Sequence, residues 1–386
     1  MKKVYFAVMA GLFTGIAFAF MACGGSSRAS ESIRFYVGSS GGQEHSIFLC
    51  ELETASQTFA VLDSFAGASG ASYLASSPGF EFLYAINQDL AEPEKKHASV
   101  TSFRVGPETR DLSMINSQSS EGSGICHIHS SGDGTFLFAA NYGSGHATAL
   151  PVNARGEIQP ATSVVIGEGS GPVSNRQEGP HAHQAMSDPS RKFLLVPDLG
   201  TDKVMIYAFD AQSGQLAPHA AQPFFSLAPG AGPRHLAFHP EGKSLFVVNE
   251  LNSTLTACSW DSSTGEMKEI NTVPTVGKGH EGMKYPAAVR VHPNGRYVYA
   301  STRGENSCIS VFRIGTQGSV ERIQVMEQVP FWPRDFNLDP SGRYLISAGE
   351  RSNDLRLYTI DQESGMLEET ICSLELPAPA NILFIP

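Results

Sequence analysis

Short apolar runs separated by Gly, Pro and Asp turns fill the chain from residue 33 onward, and one phrase recurs among them. A Pro and a turn Gly precede an apolar run, which ends on a polar or small residue. Pro240-Glu241-Gly242 leads through Leu245-Phe246-Val247-Val248 to Asn249, nine positions after the Pro. At the same distance Pro78 leads to Asn87, Pro189 to Asp198, Pro293 to Thr302 and Pro340 to Gly349, and Gly132 takes the Pro place before Asn141. A seventh copy starts mid-phrase, with Arg34-Phe35-Tyr36-Val37 leading to Ser39.

The intervals between these anchors are 48, 54, 57, 51, 53 and 47 residues. A repeat near this length, made of short apolar runs and turns, suits a propeller blade of four strands. The expectation is therefore an all-β chain, a seven-bladed β-propeller of four-stranded blades. In the clearest copy the strands are predicted over residues 234–239, 245–249, 254–260 and 267–273, with Asp261-Ser262-Ser263-Thr264-Gly265 as the turn before the last. The first repeat opens on a second-position strand (33–37) and the chain ends on a first-position strand (380–385). The two ends should complete one blade together, which closes the ring and leaves no open sheet edge.

Ahead of the repeats, Lys2 and Lys3 precede an apolar run over residues 4–22. That is the plan of a secretory leader. Phe20-Met21-Ala22-Cys23 resembles a bacterial lipobox, in which the Cys is lipidated and becomes the mature N-terminus. The expected organisation is a lipoprotein-type signal peptide over 1–22, lipid on Cys23, a Gly/Ser linker over 23–32 and the propeller over 33–386. An uncleaved anchor helix is the rival. Either way the body lies outside the cytoplasm, held to a membrane through its N-terminus alone.

Composition narrows the function classes. Hydrophobic residues make up 41% and charged residues 17%, which excludes disorder by charge excess. With Gly at 38 and Pro at 23, a coiled coil is excluded as well. Lys+Arg number 27 against 38 Asp+Glu, a net charge of -11, so no basic footprint for nucleic acid exists. An anionic ligand would need a local positive site inside an acidic shell. Besides Cys23 there are Cys50, Cys126, Cys258, Cys308 and Cys372, an odd set with no CxxC pair. Buried free thiols are expected, not a disulfide scaffold or a zinc site.

The fixed spacing lets the repeats be compared position by position. The start of the first strand and the end of the second lie at one face, where the innermost strands converge on the channel. Six residues before each Pro stand Ser72, Cys126, His183, Arg234, Ala287 and Arg334, with Ala380 as the seventh. One residue past each anchor stand Ser40, Gln88, Tyr142, Leu199, Glu250, Arg303 and Glu350. The strongly polar members, His183, Arg234, Glu250, Arg303, Arg334 and Glu350, fall in neighbouring blades. Sharing one basin, they would form an anion-binding pocket with a general base. His181 and His183, or His127 and His129, share a strand side, but no third ligand is placed beside either pair, so no metal is expected. His235 and His239 read as packing residues. No nucleophile elbow, P-loop or zincin motif occurs.

Gly179-Pro180-His181-Ala182-His183, Pro197-Asp198-Leu199-Gly200-Thr201-Asp202, Gly232-Pro233-Arg234-His235, Val248-Asn249-Glu250 and Ser301-Thr302-Arg303-Gly304 together resemble the seven-bladed lactonase family. That family includes cycloisomerase-type 6-phosphogluconolactonases and fungal carboxymuconate lactonizing enzymes. The resemblance implies a propeller that needs no metal or other cofactor. It also implies a catalytic set of His183, Arg234, Glu250 and Arg303; beside that set, the reading of the residues themselves adds His181, Arg334 and Glu350 as expected substrate-binding residues. It suggests hydrolysis of a sugar lactone, phosphorylated or not, with Glu250 or His183 as the base. Muconate-type cycloisomerisation and a non-catalytic tethered propeller binding sugar acids or a protein are the alternatives. The expected partner is a small anionic lactone, with no nucleic acid and a monomer favoured.

Overall fold

A computed structural model describes residues 31–41, 44–88, 98–277, 279 and 282–386. The proposed leader, Cys23 and nearly all of the linker lie outside the described residues.

The repeats fold as seven antiparallel sheets in a ring. β1 (Ser32–Ser39), β2 (Ile47–Glu53) and β3 (Thr58–Phe65) belong to blade 1. β4 (Leu74–Ser76), β5 (Phe82–Asn87), β6 (Ser99–Val105) and β7 (Leu112–Ser119) form blade 2. β8 (Ile125–Ser130), β9 (Phe136–Asn141), β10 (His146–Pro151) and β11 (Ser163–Ile166) form blade 3. Blade 4 has β12 (Met186–Ser187), β13 (Phe193–Asp198) and β14 (Lys203–Asp210), and its outer position is split between β15 (Gln215–Pro218) and β16 (Phe224–Ser226), which both pair with β14. β17 (Pro233–Phe238), β18 (Ser244–Asn249), β19 (Thr254–Asp261) and β20 (Glu266–Pro274) make blade 5, within a residue of the predicted bounds. β21 (Tyr285–Val291), β22 (Tyr297–Arg303), β23 (Cys308–Ile314) and β24 (Val320–Met326) make blade 6. β25 (Pro333–Leu338), β26 (Tyr344–Gly349), β27 (Asp354–Ile360) and β28 (Leu367–Glu375) make blade 7. The last strand, β29 (Pro379–Phe384), pairs with β1 and completes blade 1, as the two ends of the repeat array predict.

Each blade alone would leave two apolar faces wet. The ring buries them between neighbours. Phe35, Val37 and Ile382 of blade 1 pack on Ile346 and Leu357 of blade 7, and Leu245 and Val247 of blade 5 pack on Leu195 and Ile206 of blade 4. An equivalent cluster fills every other blade junction. The turn between β19 and β20 shows how local sequence serves this contact. Asp261 accepts from the backbone N–H of Ser263 and Thr264, and Gly265 turns with φ at 73°. A Cβ at Gly265 would lie 2.6 Å from the Phe193 ring of the preceding blade. All five described cysteines are free thiols.

Candidate active site

The first strands of five blades carry a β-bulge at one level. In β17 Pro233 pairs with Asn249 and His235 with Val248, so Arg234 has no partner of its own. The same shift leaves Cys126 in β8, Arg334 in β25 and Ala380 in β29 unpaired, and it includes Ala287 in β21. In blade 4 Ala182 bridges to Asp198, as Pro233 does to Asn249, which puts His183 in the equivalent place. A bulge sets two residues against one and re-aims a side chain. It turns these positions toward the channel mouth, where simple alternation would not.

Glu250 is the hub of the resulting cluster and is 3% exposed. Arg303 of blade 6 donates from Nη2 to its Oε2 at 2.6 Å. Arg234 Nε lies 3.1 Å from the same oxygen, an ionic contact without hydrogen-bond alignment. Arg176 donates from Nη2 to Oε1 at 2.6 Å. Burial works to raise the Glu250 pKa, but Arg303, Arg234 and Arg176 outweigh it and hold the carboxyl far below the ordinary range. Arg234 donates to the Ala287 carbonyl at 2.5 Å; burial first, and then Arg303, bring its pKa down to about 9.

His183 lies beside this cluster. Burial, and then the Arg234 charge, push its pKa well below the usual imidazole value, so the ring is neutral near pH 7. Its Nδ1 is 3.6 Å from Cys126 Sγ, and its ring meets Tyr142 and His235 edge-on at 5.2 and 5.4 Å. Burial pushes the Cys126 thiol up to about 11, so it stays protonated. Below, His127 meets His235 edge-on at 5.5 Å and lies tilted against Tyr73 at 4.3 Å. His235 therefore belongs to the channel wall, whereas His239 packs across a blade junction, with Nε2 on the Gly295 carbonyl at 2.9 Å. Among the described residues no cluster of three His, Cys, Asp or Glu suits a metal ion.

The remaining predicted residues fall on two sides. His181 stacks on Tyr142 at 4.4 Å; its Nδ1 meets the Tyr142 carbonyl at 2.8 Å and its Nε2 meets Glu178 at 3.2 Å. Both ring nitrogens are thus engaged within the protein. Arg334 and Glu350 face each other across blade 7 at 3.6 Å. Sequence reasoning missed Arg176, Tyr285 and Trp332. Arg176 sits in the stretch between β11 and β12, near the Tyr142 hydroxyl at 3.5 Å and over the Tyr285 ring at 5.7 Å. Its signal was the 57-residue interval, the longest of the six, which marks an insertion at that point.

A closed seven-bladed propeller with a carboxylate-centred arginine cluster at its mouth defines the class. The particular family follows from comparison. Residues 34–384 match the family model of the lactonases with a 7-bladed beta-propeller, and the chain belongs to that family. It is 31% identical over 356 residues to a 6-phosphogluconolactonase of Bacillus subtilis, covering 91% of this chain and 97% of that one. A 6-phosphogluconolactonase of Yersinia pestis is 34% identical over 241 residues, 62% of this chain and 68% of that one. Among solved structures, the periplasmic gluconolactonase of Pseudomonas aeruginosa superposes with a TM-score of 0.86 at 26% identity, covering 92% of this chain and 99% of that one.

Proposed function

We propose that this protein is a carboxylic ester hydrolase that opens a sugar lactone of the 6-phosphogluconolactone type at the channel mouth. The observation that carries the reading is the Glu250-centred arginine cluster with a neutral His183 beside it, in a chain of the lactonase family. In lactone hydrolysis the oxygen of water bonds to the carbonyl carbon and the ring C–O bond breaks. The proton taken from water ends on the ring oxygen, and the new acid ionises. Such a reaction needs a base for the water and donors for the oxyanion.

Glu250 is a poor base, because arginines hold it ionised far below the working pH. Its role in this reading is to fix Arg234 and Arg303 as oxyanion donors. His183 takes the proton from water and returns it to the leaving oxygen. His181, with both nitrogens occupied, positions the Tyr142 wall beside the substrate.

We also assign the mature protein to the extracytoplasmic side, anchored by lipid on Cys23 after removal of residues 1–22. The leader sequence supports this, as does the likeness to a periplasmic gluconolactonase.

The test is acid release in a pH-stat from 6-phosphogluconolactone and glucono-lactone. Arg234→Ala should lower the catalysed rate by about 10²–10³. Full activity in that variant, or release no faster than the uncatalysed background with the wild type, would sink the reading.

A further inference from the structure

The bulges of blades 3 and 4 bring a thiol and an imidazole together at the channel mouth. Cys126 and His183 occupy equivalent places in those neighbouring blades. Among the five described cysteines, Cys50, Cys258, Cys308 and Cys372 are buried, and Cys126 alone is partly exposed. Cys50 and Cys372 pack in the apolar core of one blade junction and Cys258 in that of another. Cys126 Sγ instead meets His183 Nδ1 at 3.6 Å.

His183 is 6% exposed. Its ring touches Tyr142 and His235 edge-on, through ring contacts and not hydrogen bonds. Cys126 Sγ is the only hydrogen-bond partner of either ring nitrogen among the described residues, and it serves Nδ1. Nε2 has none there.

A neutral imidazole carries one proton, and the bond made by one nitrogen decides which of the two holds it. Two arrangements satisfy the pair. In one, the thiol donates to Nδ1 and the ring proton sits on Nε2, which then has no lone pair for a second proton. In the other, Nδ1–H donates to sulfur and the Nε2 lone pair is free. The surroundings of the sulfur decide between them. Sγ also lies 3.4 Å from the His183 carbonyl oxygen, 3.7 Å from that of Ala140 and 3.8 Å from that of Ala182. Carbonyl oxygens only accept, and the thiol has one proton to give. Donated to the nearest of them, that of His183 itself, the proton turns away from the ring. The sulfur lone pairs then face Nδ1 and accept its N–H. In the opposite arrangement those lone pairs would face three carbonyl oxygens with no proton between. Burial keeps the thiol protonated, so the donor is present near pH 7.

We propose that Cys126 is a positioning residue for lactone opening: donating to the His183 carbonyl and accepting Nδ1–H, it fixes one tautomer of His183 and leaves the Nε2 lone pair to take the proton from water. The use of Nε2 rests on the proposed lactonase reading. The tautomer itself does not.

The test is nitrogen-15 NMR of the purified protein near pH 7 with labelled histidine, the His183 signals being those lost in His183→Gln. The wild type should show a protonated Nδ1 and a bare Nε2. In Cys126→Ala the form with the proton on Nε2 should gain population. There kcat for lactone opening should fall about tenfold with KM unchanged, part of the roughly 10²–10⁴ that a positioned base supplies. Cys126→Ser, which keeps a donor and an acceptor at this place, should restore most of both. The charged groups nearest the pair, Arg234, Glu250 and Arg334, are the same in all three proteins. A merely structural role would lower thermal melting without moving the tautomer. A wild-type signal with the proton on Nε2 overturns the proposal even where a variant fails to fold, and so does a Cys126→Ala protein with the wild-type tautomer. The expected tautomers with no fall in kcat, or with no lactone hydrolysis at all, would leave the Cys126–His183 pair standing and overturn His183 as the base.

Discussion

Arg303 of blade 6 donates to Glu250 of blade 5 at 2.6 Å, so the central carboxylate is shared across a blade junction. Glu250→Gln keeps the shape and removes the charge, leaving Arg176, Arg234 and Arg303 without their common anion. Breaking a buried ion pair from one side costs about 3–5 kcal/mol. Urea unfolding at pH 7 should show a loss of that order. The pH dependence has a fixed sign. Glu250 is held below its unfolded value, so its contribution is complete above about pH 4.3 and drains as the pH falls further. The stability gap between wild type and variant should be flat from pH 5 to 8 and narrow below about 4. A gap that widens on acidification would contradict this role.

The pH profile of lactone hydrolysis separates His183 from Glu250 as the base. Burial and Arg234 hold His183 well below the usual imidazole value. The acid limb of kcat/KM should therefore begin below about pH 6.5 and be absent from the residual activity of His183→Gln. A limb near pH 6.5 or above, or one unchanged in the variant, would point to another base.

Much of this site was legible because the repeat is regular. Counting six residues back from each Pro reaches Cys126, His183, Arg234 and Arg334, and the bulge stands at the same count in blade after blade. The bulge itself was not read, although its signal is present: a Pro stands just before Arg234, Ala287, Arg334 and Ala380. His235 packs as expected, against the rings of Tyr73, His127 and His183. Arg176 comes from an insertion that the repeat does not contain, so its approach to Glu250 depends on how that stretch folds back. Trp332 stands just before β25, where an apolar residue reads as core; only its positive φ and the guanidinium on its ring set it apart. The split outer edge of blade 4 was equally silent, because β15 and β16 are short runs with little pattern.

The channel histidines make a stability prediction of opposite origin to that of Glu250. His127 and His235 are 1% and 3% exposed, and burial, aided by nearby arginines, holds both well below the ordinary value. Above about pH 6.5 both states of the protein are neutral at these rings and nothing is gained or lost. As the pH falls below that value the unfolded chain takes up protons that the folded one refuses, and stability drops. His127→Gln should make this slope shallower by about 1.4 kcal/mol per pH unit between pH 6 and 5. Chemical denaturation at several pH values measures the slope, and an unchanged slope would mean that His127 is charged in the folded protein.

Closure of the ring depends on one buried polar junction as well as on β29. Asn381 donates from Nδ2 to Asp335 Oδ2 at 2.6 Å and accepts the Leu74 N–H on Oδ1 at 3.0 Å, while Arg290 holds the other Asp335 oxygen at 2.8 Å. Blades 6, 7, 1 and 2 are thereby joined through one amide. Asn381→Ala leaves an oxygen of Asp335 and the Leu74 N–H buried without these partners. Each such group costs about 1–3 kcal/mol, so a total loss of about 2–6 kcal/mol is expected. The damage should concentrate at the seam. In native-state hydrogen exchange the amides of β1 and β29 should lose protection before those of blade 5, because the last strand is held by pairing with β1 and this amide. A variant within about 1 kcal/mol of wild type, with protection at the seam intact, would show that strand pairing alone closes the ring.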